Sequence, residues 1–137
     1  MTKKIKPRKQ DTGKWSKPHV SSDTNPKTEY LTISLRFLDP DYCLTKCDKD
    51  EQAAFADKVR ILTQKKWVEI LSLNRHGQGC EKIPCEAING KIPRHVTPDM
   101  NLIAFRFHVK KPMVGYRNGD VFYVIWFDRN RTLYSHG

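Results

Sequence analysis

Basic and imidazole side chains crowd the last 28 residues of the chain, around two apolar runs that Asn118 and Gly119 separate. Side chains of these types are sufficient to cleave RNA without a metal. Attack by the RNA's own 2′-hydroxyl needs a base for its proton, cations for the developing negative charge and an acid for the leaving 5′-oxygen. The candidate catalytic residues are Lys111, Arg117, Tyr134 and His136. This chemistry requires no cofactor, and we expect none.

A second set of side chains in the same third of the chain suits the binding of phosphate groups. An arginine guanidinium forms a planar fork that contacts two phosphate oxygens at once. Two of these side chains point outward from one predicted strand, and the others lie in turns. The RNA-binding candidates are Arg106, His108, Lys110, Arg129 and Arg131. The plain alternative is that they are solvated side chains with no ligand.

The Asn118-Gly119 pair predicts a two-residue hairpin turn, because a type I′ turn needs positive φ at both central positions. This register sets Arg117 opposite Asp120. An ion pair between these two residues is therefore the alternative to a phosphate-binding role for the arginine. The face that carries Arg117 is then predicted to carry Phe122, Val124 and Trp126.

The positive charge of the chain is concentrated at its two ends. Residues 1–30 hold eight Lys/Arg against three acids, residues 31–90 nine against nine, and residues 91–137 eight against three. The formal net charge of +10 favours a polyanionic partner such as nucleic acid, the ribosome or an anionic membrane surface. No apolar run is long enough for a transmembrane helix, and no apolar stretch follows the basic N-terminus as in a secretory signal. We expect a cytoplasmic protein without a membrane partner.

The composition divides the chain into a tail and one domain. Residues 1–29 contain only three sizeable apolar side chains among many Lys, Pro, Ser and Thr residues. Such a segment buries too little apolar surface to offset the entropy lost on ordering, so a disordered basic tail is predicted. Residues 30–137 have the length of a single small domain.

Hydrophobic periodicity predicts an α+β domain. Residues 30–38 alternate as a half-buried strand, with Leu31, Ile33, Leu35 and Phe37 on one face. Asp48 and Glu51 form a capping-box pattern before a first helix, and Thr63 is the predicted cap of a second helix. Residues 76–100, rich in Gly, Pro and Asn, are predicted to form a loop.

Three further strands complete the predicted fold. They are residues 101–109, residues 112–117 and the nearly continuous apolar run 121–127, which pairs with 112–117 across the hairpin. A short last strand over residues 132–134 follows the final turn as an addition to this order. The order is β-α-α-β-β-β, with a two-helix hairpin on one face of a mainly antiparallel sheet of about four strands. The other face of the sheet is predicted to be partly open, and Trp67, Phe105 and Trp126 to lie in the core.

Four cysteines form two closely spaced pairs, Cys43 with Cys47 and Cys80 with Cys85. Two such pairs, with His76 and His95 nearby, are compatible with a tetrahedral zinc site. The intervals of three and four residues are longer than the usual two, so reduced thiols without a metal are the preferred interpretation.

The element order, the basic sheet and the late Tyr and His make residues Tyr30 to Gly137 resemble the RelE/ParE/YoeB superfamily of bacterial toxins. The C-terminal phrase GYRNGDVFYVIWFDRNRTLYSHG carries the resemblance: a strand-borne arginine, an apolar strand and a terminal aromatic residue follow one another. The RelE-like branch implies mRNA cleavage at the ribosome, the ParE-like branch implies gyrase inhibition, and both imply an antitoxin partner. By position, Arg106, Lys111 and Arg117 would contact phosphate, and Tyr134 or His136 would transfer the late proton. The basic tail and the long Gly/Pro loop depart from the family pattern.

Two functions follow from these observations. The leading hypothesis is a toxin-like endoribonuclease that an acidic antitoxin neutralises. The alternative is a non-catalytic RNA- or DNA-binding accessory protein, in which the tail supplies affinity and the sheet supplies shape. Both predict polyanion binding, so only cleavage separates them.

Overall fold

A computed structural model describes residues 29–73 and 78–135. Among the sequence-based predictions, the basic tail, His76 and His136 lie outside the described residues. The described part of the chain is α+β, as predicted, and has two α-helices and five strands. The helices are α1 (Lys49–Leu62) and α2 (Trp67–Leu71), and the strands are β1 (Thr32–Ser34), β2 (Glu81–Pro84), β3 (Asn101–His108), β4 (Lys111–Asn118) and β5 (Val121–Phe127).

The strands form one mixed sheet in the order β1-β5-β4-β3-β2. β1 runs parallel to β5, whereas the other neighbouring pairs are antiparallel. The strand β2 arises inside the segment that was predicted to be a loop. It pairs Glu81 with Ala104 and Pro84 with Asn101 at the edge of the sheet, where a proline at a strand end removes no interior hydrogen bond.

Two predicted strands differ from the observed ones. β1 is limited to three residues, because the chain turns at Arg36 and Phe37 instead of continuing the alternation. Residues 132–134 form no strand. The buried carboxylate of Asp128 accepts hydrogen bonds from the backbone N–H groups of Thr132 (2.9 Å) and Leu133 (3.0 Å). These N–H groups therefore bond to a side chain instead of to the backbone of a neighbouring strand.

The start of α1 confirms the predicted capping box. The Asp48 side chain accepts from the Glu51 backbone N–H, and the Glu51 side chain accepts from the Asp48 backbone N–H, each at 2.8 Å. The predicted cap at Thr63 is wrong. Its hydroxyl donates to the Val59 carbonyl (2.7 Å), which ties Thr63 to the end of α1, and α2 begins after Lys66.

Apolar side chains fill both faces of the sheet, because alternate residues of β3 point to opposite sides. Ile103, Phe105 and Phe107 face a core that contains Phe55, Leu62 and Trp67 from the helical layer. The opposite side chains, Leu102 and Ala104, face a second core. The prediction of a partly open face is therefore wrong: residues 85–100, with Leu133 and Tyr134, cover it. Trp67, Phe105 and Trp126 are fully buried, as predicted.

The turn between β4 and β5 lies one residue further along the chain than predicted, so the partner of each β4 residue near the turn moves by two positions. Asn118 pairs with Val121 and Arg117 with Phe122, so the turn residues are Gly119 and Asp120. Only Gly119 has positive φ (67°), which fits a type II′ turn with glycine at its first central position. This turn leaves Asn118 in the strand, so the predicted pairing of Arg117 with Asp120 is wrong.

A β-bulge further along the same hairpin changes the face of Trp126. Val114 pairs with Trp126, but Gly115 pairs with Val124, so Ile125 is the extra residue. Phe122 and Val124 lie in the helix-side core, as predicted, whereas Ile125 and Trp126 both lie in the second core.

Candidate nucleic-acid interface

Two of the predicted phosphate-binding cations contact a buried carboxylate. Glu51 is 0 % exposed and accepts hydrogen bonds from Lys111 Nζ (2.5 Å) and Arg129 Nε (2.8 Å). The Arg129 guanidinium also lies 3.7 Å from the Asp48 carboxylate. Lys111, predicted to be catalytic, and Arg129, predicted to bind RNA, therefore contribute to an ion-pair network at the start of α1.

The pKa of Glu51 reflects two opposing effects. Burial raises the pKa, because it removes water from the charged form. Hydrogen bonds from Lys111, from the Asp48 backbone and from Arg129 outweigh the burial and lower the pKa to about 2. Glu51 is thus an anion at neutral pH, and it offsets the charge of the cations around it.

Arg117 lies at the hairpin end of the sheet, on the side of the helices. Its guanidinium carbon sits 4.3 Å from the ring centroid of Trp67, and its Nε donates to the Gly119 carbonyl at 2.7 Å. The Trp67 indole in turn donates to the Asp120 carbonyl at 2.9 Å. These contacts order the hairpin tip, and they place Arg117 on the opposite side of the sheet from Tyr134.

Tyr134 lies in the second core and is 6 % exposed. Burial, with the nearby carboxylates of Glu81 and Asp128, raises its pKa to about 12, while Arg106 and Arg131 partly oppose this rise. The phenol therefore keeps its proton at neutral pH and is a hydrogen-bond donor. Tyr134, Arg106 and Arg131 form one electrostatic neighbourhood, which is the only grouping of predicted site residues on this side of the described sheet.

The remaining predicted cations lie elsewhere. Lys110 is exposed in the turn between β3 and β4, and His108 is half-buried at the end of β3. Lys111, Arg117 and Arg129 occupy other positions again. The predicted site residues therefore lie on both sides and at two ends of the sheet and do not form one site.

The cysteines are also spread over the two sides of the sheet. Cys47 and Cys80 pack against the helix-side core, whereas Cys85 belongs to the second core. Within residues 29–73 and 78–135, no group of three or more His, Cys, Asp or Glu side chains is placed to hold a metal ion. The described helices also include none that is long and apolar enough to cross a membrane.

A cluster of aromatic and imidazole rings, not predicted from the sequence, lies on the side of the sheet away from the helices. His95 Nε2 and the Tyr116 hydroxyl are 2.8 Å apart and share a hydrogen bond. The Tyr116 ring stacks on Tyr123, with centroids 5.1 Å apart and an interplanar angle of 21°. The ring centroid of Phe37 lies 4.3 Å from that of His95 and 5.4 Å from that of Tyr123. We call Phe37, His95, Tyr116 and Tyr123 the ring cluster.

A cation sits at the edge of the ring cluster. The Arg36 guanidinium carbon lies 5.1 Å from the centroid of Phe37, within the range of a cation–π contact. His95 is exposed, Phe37 and Tyr123 are half-buried, and Tyr116 is buried. The cluster therefore presents an imidazole, two ring surfaces and a guanidinium to solvent.

Burial raises the pKa of the Tyr116 phenol, the neighbouring Tyr123 phenol adds to the rise, and Arg36 opposes it. Tyr116 is therefore a neutral phenol at physiological pH. In the tautomer in which His95 Nε2–H donates to the Tyr116 oxygen, the imidazole Nδ1 is left to accept a proton. The phenol then fixes the orientation of the ring, as the third group of a catalytic constellation does.

One sequence signal pointed toward this cluster. A turn at Gly119-Asp120 sets Tyr116 opposite Tyr123, and an aromatic cross-strand pair of this kind is a stabilising contact. His95 comes from a segment without regular structure, so no periodicity connects it with Tyr116, which is 21 residues further along the chain.

Comparisons of the chain with protein-family models, with curated proteins and with solved structures found no match.

Proposed function

We propose that the protein is a toxin-like endoribonuclease that binds single-stranded mRNA at the ring cluster and cleaves it without a metal. The observation that carries this proposal is the 2.8 Å contact between His95 Nε2 and the Tyr116 hydroxyl beside Arg36. Imidazole, phenol and guanidinium are the residue types that this cleavage needs, and here they lie within one surface patch.

In the proposed reaction His95 Nδ1 takes the proton of a ribose 2′-hydroxyl. The 2′-oxygen attacks the adjacent phosphorus, the bond from phosphorus to the 5′-oxygen breaks, and the imidazolium returns the proton to that leaving oxygen. The products are a 2′,3′-cyclic phosphate and a 5′-hydroxyl. Tyr116 orients the imidazole, and Arg36 stabilises the negative charge on the phosphorane oxygens.

The rings beside this pair support binding of single-stranded RNA. Nucleobases stack on exposed aromatic faces regardless of sequence, and each stacked base contributes ~1–3 kcal/mol to affinity. Phe37 and Tyr123 offer such faces next to His95. The net charge of +10 supports attraction of the phosphate backbone.

The resemblance to the RelE-like toxins adds the ribosome as the place of cleavage and an acidic antitoxin as a partner. The observed order β-α-α-β-β-β-β keeps the predicted element order apart from the added strand β2 and the missing strand at residues 132–134. It therefore remains compatible with the resemblance. Cytoplasmic location belongs to the same proposal.

A direct test measures cleavage of a defined mRNA by purified protein, with and without ribosomes and in the presence of EDTA. Replacement of the base, His95→Gln, is expected to lower the rate by ~100-fold or more while RNA affinity is retained. Tyr116→Phe removes only the hydroxyl and is expected to change the pH–rate profile. Tyr42→Phe is the matched control, because it removes a phenol that packs against the same core outside the ring cluster.

The second candidate is a non-catalytic RNA- or DNA-binding accessory protein. Engagement of Lys111 and Arg129 by Glu51 favours it, because two cations that were predicted to contact phosphate are held by a carboxylate. Two results together would support this candidate. One is the absence of cleavage both with and without ribosomes, and the other is weaker RNA binding after Phe37 and Tyr123 are replaced with leucine. Undiminished cleavage by both the His95→Gln and Tyr116→Phe proteins would exclude the ring cluster as the active site.

A further inference from the structure

A cleft of about 350 Å³ opens between α1 and the end of β3, away from the ring cluster. Residues three and four apart on a helix share a face, so Asp57, Lys58 and Ile61 line the cleft from the same side of α1. Arg106 and His108 line it from β3. The Arg106 side chain lies near Tyr134 on the other side of the sheet, so Lys58 and His108 are the basic side chains of the cleft. Asp57 is the one carboxylate among the residues that line it.

Lys58 is a buried cation among the residues that line this cleft. Its residue is 7 % exposed, and its ammonium donates a hydrogen bond to the Gln78 side-chain oxygen at 2.8 Å. Burial lowers the pKa of Lys58 to about 8, because the charged form has lost hydration. An anion in the cleft would interact favourably with the charged form of this side chain.

The rim of the cleft is strained. Val109 follows His108, is 79 % exposed and has φ of 56°, in the left-handed region. A β-branched side chain rarely adopts this conformation, and backbone strain of this kind is concentrated at ligand sites. A Gly or Asn at this position would remove the strain, yet the turn carries valine.

From the cleft, its buried ammonium and the flanking His108, we infer that Lys58 anchors a phosphate-binding site. A phosphate accepts hydrogen bonds from the lysine ammonium, which acts as a point charge, and from an imidazole N–H. The volume is at the lower end of the range for small-ligand sites. The inference rests on the proposed RNA function only for the source of the phosphate, which is either the backbone or a terminal phosphate of RNA.

The first experiment measures sulfate binding to the full chain by calorimetry, because the charge of sulfate is constant between pH 7 and pH 9. Affinity is expected to fall by about tenfold over this range, since a group with a pKa near 8 is then mostly deprotonated. Lys58→Met keeps the length of the side chain without the charge and is expected to lose at least ~10-fold in affinity. Lys49→Met, at the exposed start of α1, is the matched control and should bind as the wild type does.

Replacement of the carboxylate in the cleft is expected to change sulfate affinity in the opposite direction from Lys58→Met. Asp57→Asn removes the like charge that faces the bound anion, so sulfate affinity is expected to rise several-fold. This outcome keeps the proposal testable even where Lys58→Met folds poorly. Equal sulfate affinity in the wild-type, Lys58→Met and Asp57→Asn proteins would overturn the site.

Two short RNAs identify the source of the phosphate. Competition for sulfate by the dinucleotide ApA indicates the backbone diester, and competition only by its 5′-phosphorylated form indicates the terminal phosphate. Competition by neither would overturn RNA as the ligand. Sulfate binding and RNA cleavage are measured separately, so failure of this site leaves the cleavage proposal at His95 intact.

Discussion

At the scale of single residues, Glu51 is a buried carboxylate held by contacts from the start of α1, from β4 and from the segment after β5. It caps α1 through the Asp48 backbone, accepts from a lysine 60 residues away and from an arginine 78 residues away, and has no exposed surface. Removal of one partner from a buried charge pair typically destabilises a protein by ~3–5 kcal/mol, because an uncompensated charge remains.

The depressed pKa of Glu51 predicts a loss of stability in acid. A carboxyl group whose folded pKa is about 2 and whose unfolded pKa is near 4.5 stabilises the fold fully above pH 4.5 and loses this contribution as the pH falls toward 2. The contribution is on the order of 3 kcal/mol. Urea unfolding at pH 7 and pH 3 is expected to show a loss of about 2 kcal/mol of this contribution in wild type, because pH 3 still lies above the folded pKa, and a smaller loss in Glu51→Gln.

Asp50→Asn is the matched control for this measurement, because Asp50 is an exposed acid in the same first turn of α1. It is expected to change the free energy of unfolding by less than ~1 kcal/mol, the range of a helix-dipole contact. A pH dependence of Glu51→Gln equal to that of wild type would show that other carboxylates cause the loss in acid.

These residues show which part of a site a sequence can predict. The capping box was predicted correctly, because its partners lie three residues apart and the pattern is local. The role of Lys111 was not predicted, since its contact with Glu51 depends on how α1 packs against the sheet. The same holds for His95, which reaches Tyr116 only through the tertiary fold.

At the scale of elements, the β4–β5 hairpin determines which side chains reach each core. The alternation in residues 121–127 predicted one face for Phe122, Val124 and Trp126, but the bulge at Ile125 turns Trp126 to the other side. Bulges insert a single residue and leave no period in the sequence, so they were not predictable from the pattern. Turn type was ambiguous for a related reason, because Gly119 suits either of two registers.

Gly115 makes this bulge sterically feasible. A Cβ atom at this position would lie 1.7 Å from the Tyr123 carbonyl oxygen, which is backbone that cannot rotate away. Gly115→Ala is therefore expected to lower the free energy of unfolding by ~3 kcal/mol or more, as severe overpacking does. Chemical denaturation measures this change directly.

Gly119→Ala provides the comparison for Gly115→Ala. A Cβ atom at Gly119 meets nothing within 4 Å, but φ is 67°, so only the left-handed backbone opposes a side chain. The expected cost is ~1–2 kcal/mol. A larger loss for Gly119→Ala than for Gly115→Ala would contradict the close approach of β4 and β5.

At the scale of the whole molecule, the positive charge divides unequally between the tail and the remainder of the chain. Residues 1–28 hold eight Lys/Arg and two acids, a net of +6, and residues 29–137 hold seventeen Lys/Arg and thirteen acids, a net of +4. Two of these thirteen acids, Glu51 and Asp48, pair with Lys111 and Arg129. Composition predicted this asymmetry, whereas the covering of the second face by residues 85–100 was not predictable, because that segment has no periodicity.

Deletion of residues 1–28 therefore distinguishes the contribution of the tail charges to RNA affinity from the contribution of residues 29–137. Each phosphate contact on a single strand adds about 0.7 to the slope of log affinity against log salt. Loss of more than half of the net charge is expected to weaken RNA binding and to flatten this slope, while the free energy of unfolding changes by less than ~0.5 kcal/mol. A full-length chain with the eight Lys/Arg of the tail replaced by glutamine is the control and should match the deletion in both quantities. An unchanged slope would show that the folded domain alone holds the RNA, and a large loss of stability would move the domain boundary into the tail.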